Sequence, residues 1–346
     1  MKKVVFFAFV GLSLILVSYK LVLKPVPFYI PKGWPKPMYD FQSNPLSIMK
    51  FELGRTLFYD PDLSRDSTIS CASCHLQFSG FTHIDHALSH GIDGKIGTRN
   101  TPVLINLAWN KHFHWDGGAG DLNQQAINPL THSKEMDNNL KEILRRLNQS
   151  SFYRKRFYEA YGDSLVSTEK LLKSLASFTV SLVSANSKYD QYQRGEVDFE
   201  VQEKRGLKLF QRFCSSCHAE PLFTINHFKN NGLAMDPELN DEGRKTITSN
   251  QNDLGLFKVP TLRNVEFSFP YMHDGRFKKL RDVVNHYSEL PNSKIGFSKE
   301  LKSIKKPLTD NQQKDIISFL KTLSDKEFLY NPIFMFPKNE RSAQEK

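Results

Sequence analysis

Two five-residue runs, Cys71-Ala72-Ser73-Cys74-His75 and Cys214-Ser215-Ser216-Cys217-His218, constrain this chain more than anything else in it. In a Cys-x-x-Cys-His run the two thiols can add across the two vinyl groups of a haem, and the adjacent histidine can reach the iron as proximal ligand. One such run would also suit a redox dithiol or half of a zinc site. Here the two runs use all four cysteines, so no thiol remains for a disulfide framework. A zinc site would need Cys71, Cys74, Cys214 and Cys217 to converge and would leave His75 and His218 unexplained. The runs are read as attachment sites for two covalent haem c groups.

A chain of 346 residues with 39% apolar content suggests two domains with real cores, one for each haem. Residues 1–23 open with Met1-Lys2-Lys3, run apolar from Val4 to Val17, and resume after Lys20 as Leu21-Val22-Leu23. That is the build of a secretory signal peptide or of an uncleaved membrane anchor, and no cysteine follows to make a lipoprotein. Either way the body of the protein is exported, which places it in the periplasm and away from nucleic acid. Its formal charge of +10 then serves solubility, weak attraction to anionic lipid, or steering of an acidic redox partner.

Six prolines in residues 24–45 read as an extended linker. The first cytochrome domain is expected over 46–190. Leu46, Met49, Leu53 and Leu57 recur there at helical spacing before Asp60-Pro61. Helices are predicted over 140–147 and 168–183, with an irregular functional stretch at 80–121 and a connection at 186–195. The second domain is expected over 196–330 and a tail over 331–346. In it Leu280, Val283, Val284 and Tyr287 fall on one helical face, and Thr309 with Gln312 forms a capping box. No convincing alternating strands occur, so the fold class is mostly α, two c-type cytochrome domains with one attached haem each.

The motifs, taken in order, resemble the bacterial di-haem cytochrome c peroxidases and their MauG-like relatives. They are Leu57-Phe58-Tyr59-Asp60, Arg99-Asn100-Thr101-Pro102, Trp115-Asp116-Gly117, Gln125, Glu135-Met136, Val259-Pro260-Thr261-Leu262-Arg263-Asn264 and Pro270-Tyr271-Met272-His273-Asp274-Gly275. The resemblance covers about residues 46 to 330. It implies that His75 is the proximal ligand of a peroxide-reacting haem and His218 that of an electron-receiving haem. Trp115 matches the tryptophan between the haems, and Gln125, Pro129 and Glu135 match the distal pocket of the first. Peroxide must lose a proton from one oxygen and gain one on the other, which a positioned carboxylate such as Glu135 can shuttle. His90, with His83 and His86 nearby, resembles the histidine that caps the peroxide haem at rest.

For the sixth ligand of the second haem, Met272 has the chemistry of a common c-type partner. The peroxidases, however, take their methionine fourteen positions after the histidine of this motif, and here that position is Tyr287. Tyrosine there is the MauG-like arrangement, and Tyr287 is taken ahead of Met272. The resemblance also implies calcium between the haems, at Asn100 and backbone oxygens of Ser268 and Pro270. Homodimers are frequent in this family. The expected function is peroxide reduction with electrons from a small reduced cytochrome c or another periplasmic donor. The alternatives are a MauG-like oxidase acting on a partner protein, and a di-haem electron carrier.

Overall fold

The protein was analysed as a computed structural model that describes residues 25–290 and 296–337. The expected signal or anchor and the end of the tail lie outside the described residues. Among those described, no helix is long and apolar enough to cross a membrane.

The architecture is mostly helical, as its apolar periodicity requires. Helix α1 spans Ile48–Phe58, α2 Leu140–Gln149, α3 Ser151–Tyr161, α4 Thr168–Val180, α5 Lys188–Gln193, α6 Val201–Phe213, α7 Leu280–Glu289 and α8 Asp310–Lys321. One two-residue antiparallel pair, β1 Phe228–Lys229 with β2 Phe257–Lys258, joins them. The predicted capping box forms: Thr309 Oγ1 accepts from Gln312 N and Gln312 Oε1 from Thr309 N. Two helices differ from the sequence expectation. Helix α3 went unread because its buried positions, Phe152, Tyr153, Phe157 and Ala160, include adjacent aromatics that blur a 3.6-residue stripe. The expected connection at 186–195 contains α5, started by a Ser187/Asp190 capping box and anchored by buried Tyr189.

Each half is built on one helix crossing, and the two crossings match. Gly54 of α1 lies against Ser174 and Phe178 of α4, where an added Cβ would stand 2.0 Å from the Ser174 carbonyl oxygen. Gly206 of α6 lies against Asp315 and Phe319 of α8, where a Cβ would stand 2.0 Å from the Asp315 oxygen. Glycine is needed at both positions because the backbones touch. Phe178 and Phe319, both wholly buried, sit in the two main apolar clusters. Residues 328–334 return to the first half, where Phe328, Leu329 and Phe334 join the cluster of α1 and α4.

The match continues at a constant offset through the irregular segments. Pro102 corresponds to Pro260, Asn106 to Asn264, Phe113 to Tyr271, His114 to Met272 and Asp116-Gly117 to Asp274-Gly275. Asn106 and Asn264 share the left-handed conformation (φ 57° and 60°), and both converge on Ser184. Asn106 Oδ1 accepts from Ser184 N at 2.9 Å, while Asn264 Nδ2 donates to Ser184 Oγ at 3.0 Å. Asp325 completes this buried knot, its Oδ2 3.0 Å from Ser184 Oγ. The halves also exchange backbone hydrogen bonds across their seam. Asn100 N donates to His273 O and Lys258 N to Trp115 O, both at 2.7 Å.

The proline-rich arm lies on this seam. Met38 N and Tyr39 N donate to Ala108 O, Trp109 Nε1 donates to Pro35 O at 2.7 Å, and the Trp34 and Trp109 rings meet at 4.9 Å. The other side of Trp34 faces Arg263, whose guanidinium carbon is 4.6 Å from the ring centroid. Arg263 is fully buried and grips Asp190 with two 2.8 Å hydrogen bonds. A buried pair tolerates loss of one partner poorly, because the remaining charge has no water. Replacing Arg263 with Met is therefore expected to lower the unfolding free energy by about 3–5 kcal/mol, read as a shift in denaturant midpoint at unchanged slope.

Candidate active site

Both Cys-x-x-Cys-His runs present the same local geometry. After each, a left-handed phenylalanine, Phe81 (φ 59°) or Phe223 (φ 55°), turns its carbonyl back onto the histidine. His75 Nδ1 donates to Phe81 O at 2.6 Å, and His218 Nδ1 is 3.1 Å from Phe223 O and 3.2 Å from Pro260 O. A carbonyl only accepts, so Nδ1 carries the proton and the Nε2 lone pair is left free. Burial pulls both imidazoles down to about 4, with the carbonyls pulling back. They are neutral, as iron ligands must be.

The two thiol pairs open into different cavities. Cys71, Cys74 and His75 line one of about 870 Å³, and Cys214, Cys217 and His218 line one of about 230 Å³. The four thiols do not converge, which removes the zinc alternative.

The larger cavity gathers the residues expected over the first haem: His90, Trp115, Gln125, Pro129 and Glu135 all line it. Gln125 ends a short helical turn, Leu122–Gln125, and Pro129 lies in the next, Ile127–Thr131. Glu135 follows on a loop tied at both ends: its N–H donates to His132 O, and its O accepts from Ile92 N at 2.8 Å. Burial pushes the Glu135 carboxyl above its ordinary value, while His132 pulls it down. His90 stands in the cavity wall with its ring against His86, which in turn stacks near His83. Gly91 presses beneath Glu135, and a Cβ there would meet Lys134 O at 2.0 Å and Glu135 Cα at 2.7 Å.

The smaller cavity takes the apolar face of α7, where Leu280, Val283, Val284 and Tyr287 all line it, as does Met272. Between the two sixth-ligand candidates lies Asn231, which sequence reading missed. Its Nδ2 donates to Met272 Sδ at 3.5 Å, and its side chain hydrogen-bonds Tyr287. Burial pushes the Tyr287 phenol above its ordinary value, and the Asn231 contact draws it back. Asn231 lies in a polar loop with no periodicity, and nothing local in the sequence marks it.

Asn100, His114, Trp115 and Lys258 line both cavities and so form part of their common wall. Trp115 Nε1 donates to Asn100 O at 2.8 Å, which fixes the indole there. The calcium candidates also meet at this wall: Asn100, Ser268 and Pro270 all line the smaller cavity. The Asn100 amide nitrogen is engaged by Ala87 O at 2.9 Å, which turns its oxygen the other way.

The residues fit a haem in each cavity. Two neutral imidazoles with free Nε2 atoms, a thiol pair beside each, and apolar walls meet the requirements of attachment. The common wall also carries buried polar atoms that the protein leaves without a partner, His114 Nε2 and Thr101 Oγ1. Replacing Gly91 with Ala should displace the Glu135 backbone while leaving the haem attachment residues alone. The expected outcome is two haems per chain by pyridine haemochrome assay, with a changed visible absorption spectrum for the haem beside Glu135.

Residues 49–198 match the family model described as di-haem cytochrome c peroxidase. The chain is 33% identical over 303 residues to the methylamine utilization protein MauG of Methylophilus methylotrophus, covering 86% of this chain and 87% of that one. It is 30% identical to the cytochrome c551 peroxidase of Pseudomonas aeruginosa, covering 86% and 84%. Among solved structures, a MauG-like protein associated with microbial copper homeostasis superposes with a TM-score of 0.81 at 31% identity, covering 91% of this chain and all of the other.

Proposed function

The chain belongs to the di-haem cytochrome c peroxidase and MauG-like family, and from that premise we propose that it is an exported, periplasmic peroxidase. It reduces hydrogen peroxide to water with two electrons and two protons per molecule, the electrons coming from a small reduced donor such as a cytochrome c. The observation that carries this reading is the meeting of Glu135 and Gln125 in the cavity that also holds Cys71, Cys74 and His75. A haem held there by Cys71, Cys74 and His75 would supply a redox-active iron.

The chain's own residues supply the rest. Glu135, as carboxylate, accepts the proton from one peroxide oxygen and returns it to the other. Gln125 can orient peroxide by hydrogen bonding but cannot move a proton. Trp115, on the common wall, is positioned to pass electrons between the two sites. His90 caps the first site at rest and must withdraw for peroxide to bind. Asn100, with the backbone oxygens of Ser268 and Pro270, would hold calcium at the seam, an oxygen donor set that suits this ion.

A base must be deprotonated to act, and burial raises the Glu135 pKa. The rate is therefore expected to fall as pH drops through a value above the ordinary carboxylate range. Glu135→Gln should cost about 10²–10⁴-fold in rate and remove that acid limb from the pH profile of kcat/KM.

A second reading, a MauG-like oxidase that takes electrons from side chains of a partner protein, is favoured by one observation. Tyr287 lines the second cavity, while the Met272 sulfur is already engaged by Asn231. A phenolate oxygen favours higher oxidation states over an easily reduced store. Oxidation of a reduced small cytochrome c by hydrogen peroxide, with and without prior partial reduction of the two-haem protein, separates the readings. The peroxidase is expected to turn over rapidly after pre-reduction. Absence of turnover with a long-lived spectral change in the fully oxidised protein would instead support the oxidase. No spectral response at all would leave a di-haem electron carrier.

A further inference from the structure

The wall between the two cavities holds a charge that the protein does not balance. Lys258 ends β2 and lines both cavities, and its backbone N–H is held by Trp115 O at 2.7 Å. Burial pulls its ammonium down to about 8, and no carboxylate among the described residues pulls it back. Its ionisable neighbour is His112, a second base that cannot neutralise it. The other cationic side chains that line these cavities are accounted for. Arg99 is held by Asp116 and Asp241, Lys229 by Glu300 at 2.6 Å, and Lys134 is exposed to solvent.

An ammonium removed from water without a counter-charge is costly. A haem brings carboxylates of its own, two propionates on the edge of each ring. The half-to-half correspondence makes the choice of residue specific. Lys258 stands where the first half has Asn100, and both backbones make the same seam hydrogen bond. One half offers this wall a neutral amide and the other an ammonium.

We propose that Lys258 is a haem-binding residue shared by the two sites, its ammonium pairing with propionate carboxylates at the common wall and raising the reduction potentials of both haems together. A nearby positive charge disfavours the ferric form, which carries one charge more than the ferrous form. This assignment rests on the family's two haems and holds whether peroxide or a partner protein is the final target.

Spectroelectrochemical titration of the calcium-loaded, two-haem protein tests it without reference to turnover. In Lys258→Met both midpoint potentials should fall, the ferrous-to-ferric ratio at fixed poise dropping about tenfold at each haem, or ~59 mV for a one-electron couple. Lys258→Arg should stay near the parent protein. If Lys258→Met yields fewer than two haems per chain, Lys258→Gln is read in the same way. An unchanged potential at either haem of a fully loaded neutral variant would overturn the assignment. So would an equal fall in Lys258→Arg, which would trace the effect to packing and not to charge.

Discussion

The structure depends on two tight turns, one from each half, docked into the opposite half. Gly117, at φ 77°, packs onto Phe228, where a Cβ would stand 2.3 Å from the ring, and Gly275, at φ 69°, packs onto Ala87, where a Cβ would stand 2.2 Å from its carbonyl oxygen. Only glycine satisfies both the left-handed backbone and the contact. With the turns seated, Asn100 and Lys258 reach the backbone oxygens of His273 and Trp115. The seam then becomes a wall common to two cavities. Were the halves to slide, the indole of Trp115 would leave that wall and the two sites would lose their shared residues.

One framework used twice lines two different cavities. At matching positions the first half has His114, Gln125 and Pro129 where the second has Met272, Val283 and Tyr287. The larger cavity therefore has the Gln125 amide where the smaller has the aliphatic Val283, and among the described residues carboxylates line only the larger. The proximal sides scarcely differ, since both histidines are held by a carbonyl five or six residues on. The difference between the two cavities thus lies in the residues away from the histidines, where the matching positions carry different side chains.

Much of this could be read in the sequence. The Cys-x-x-Cys-His runs fixed the two sites, the period of α7 identified the face that turns to the second cavity, and the motif order brought Glu135 and Gln125 to one place. What escaped reading depended on tertiary position. Nothing local distinguishes Lys258 from the chain's other lysines, because its isolation comes from which carboxylates fail to reach it. Asn231 is one asparagine in a polar loop until folding brings it between Met272 and Tyr287. The proline-rich segment reads as a spacer from composition, yet Trp34 makes it part of the packed interior of the seam.

That segment also implies an order of events. The ribosome releases residues 34–39 before Ala108, Trp109 and Arg263, the residues against which they pack. The arm therefore cannot complete its contacts with both halves until Arg263 has been made. A strap made first thus has its full set of partners only when the second half exists, and it then ties the two together through one indole.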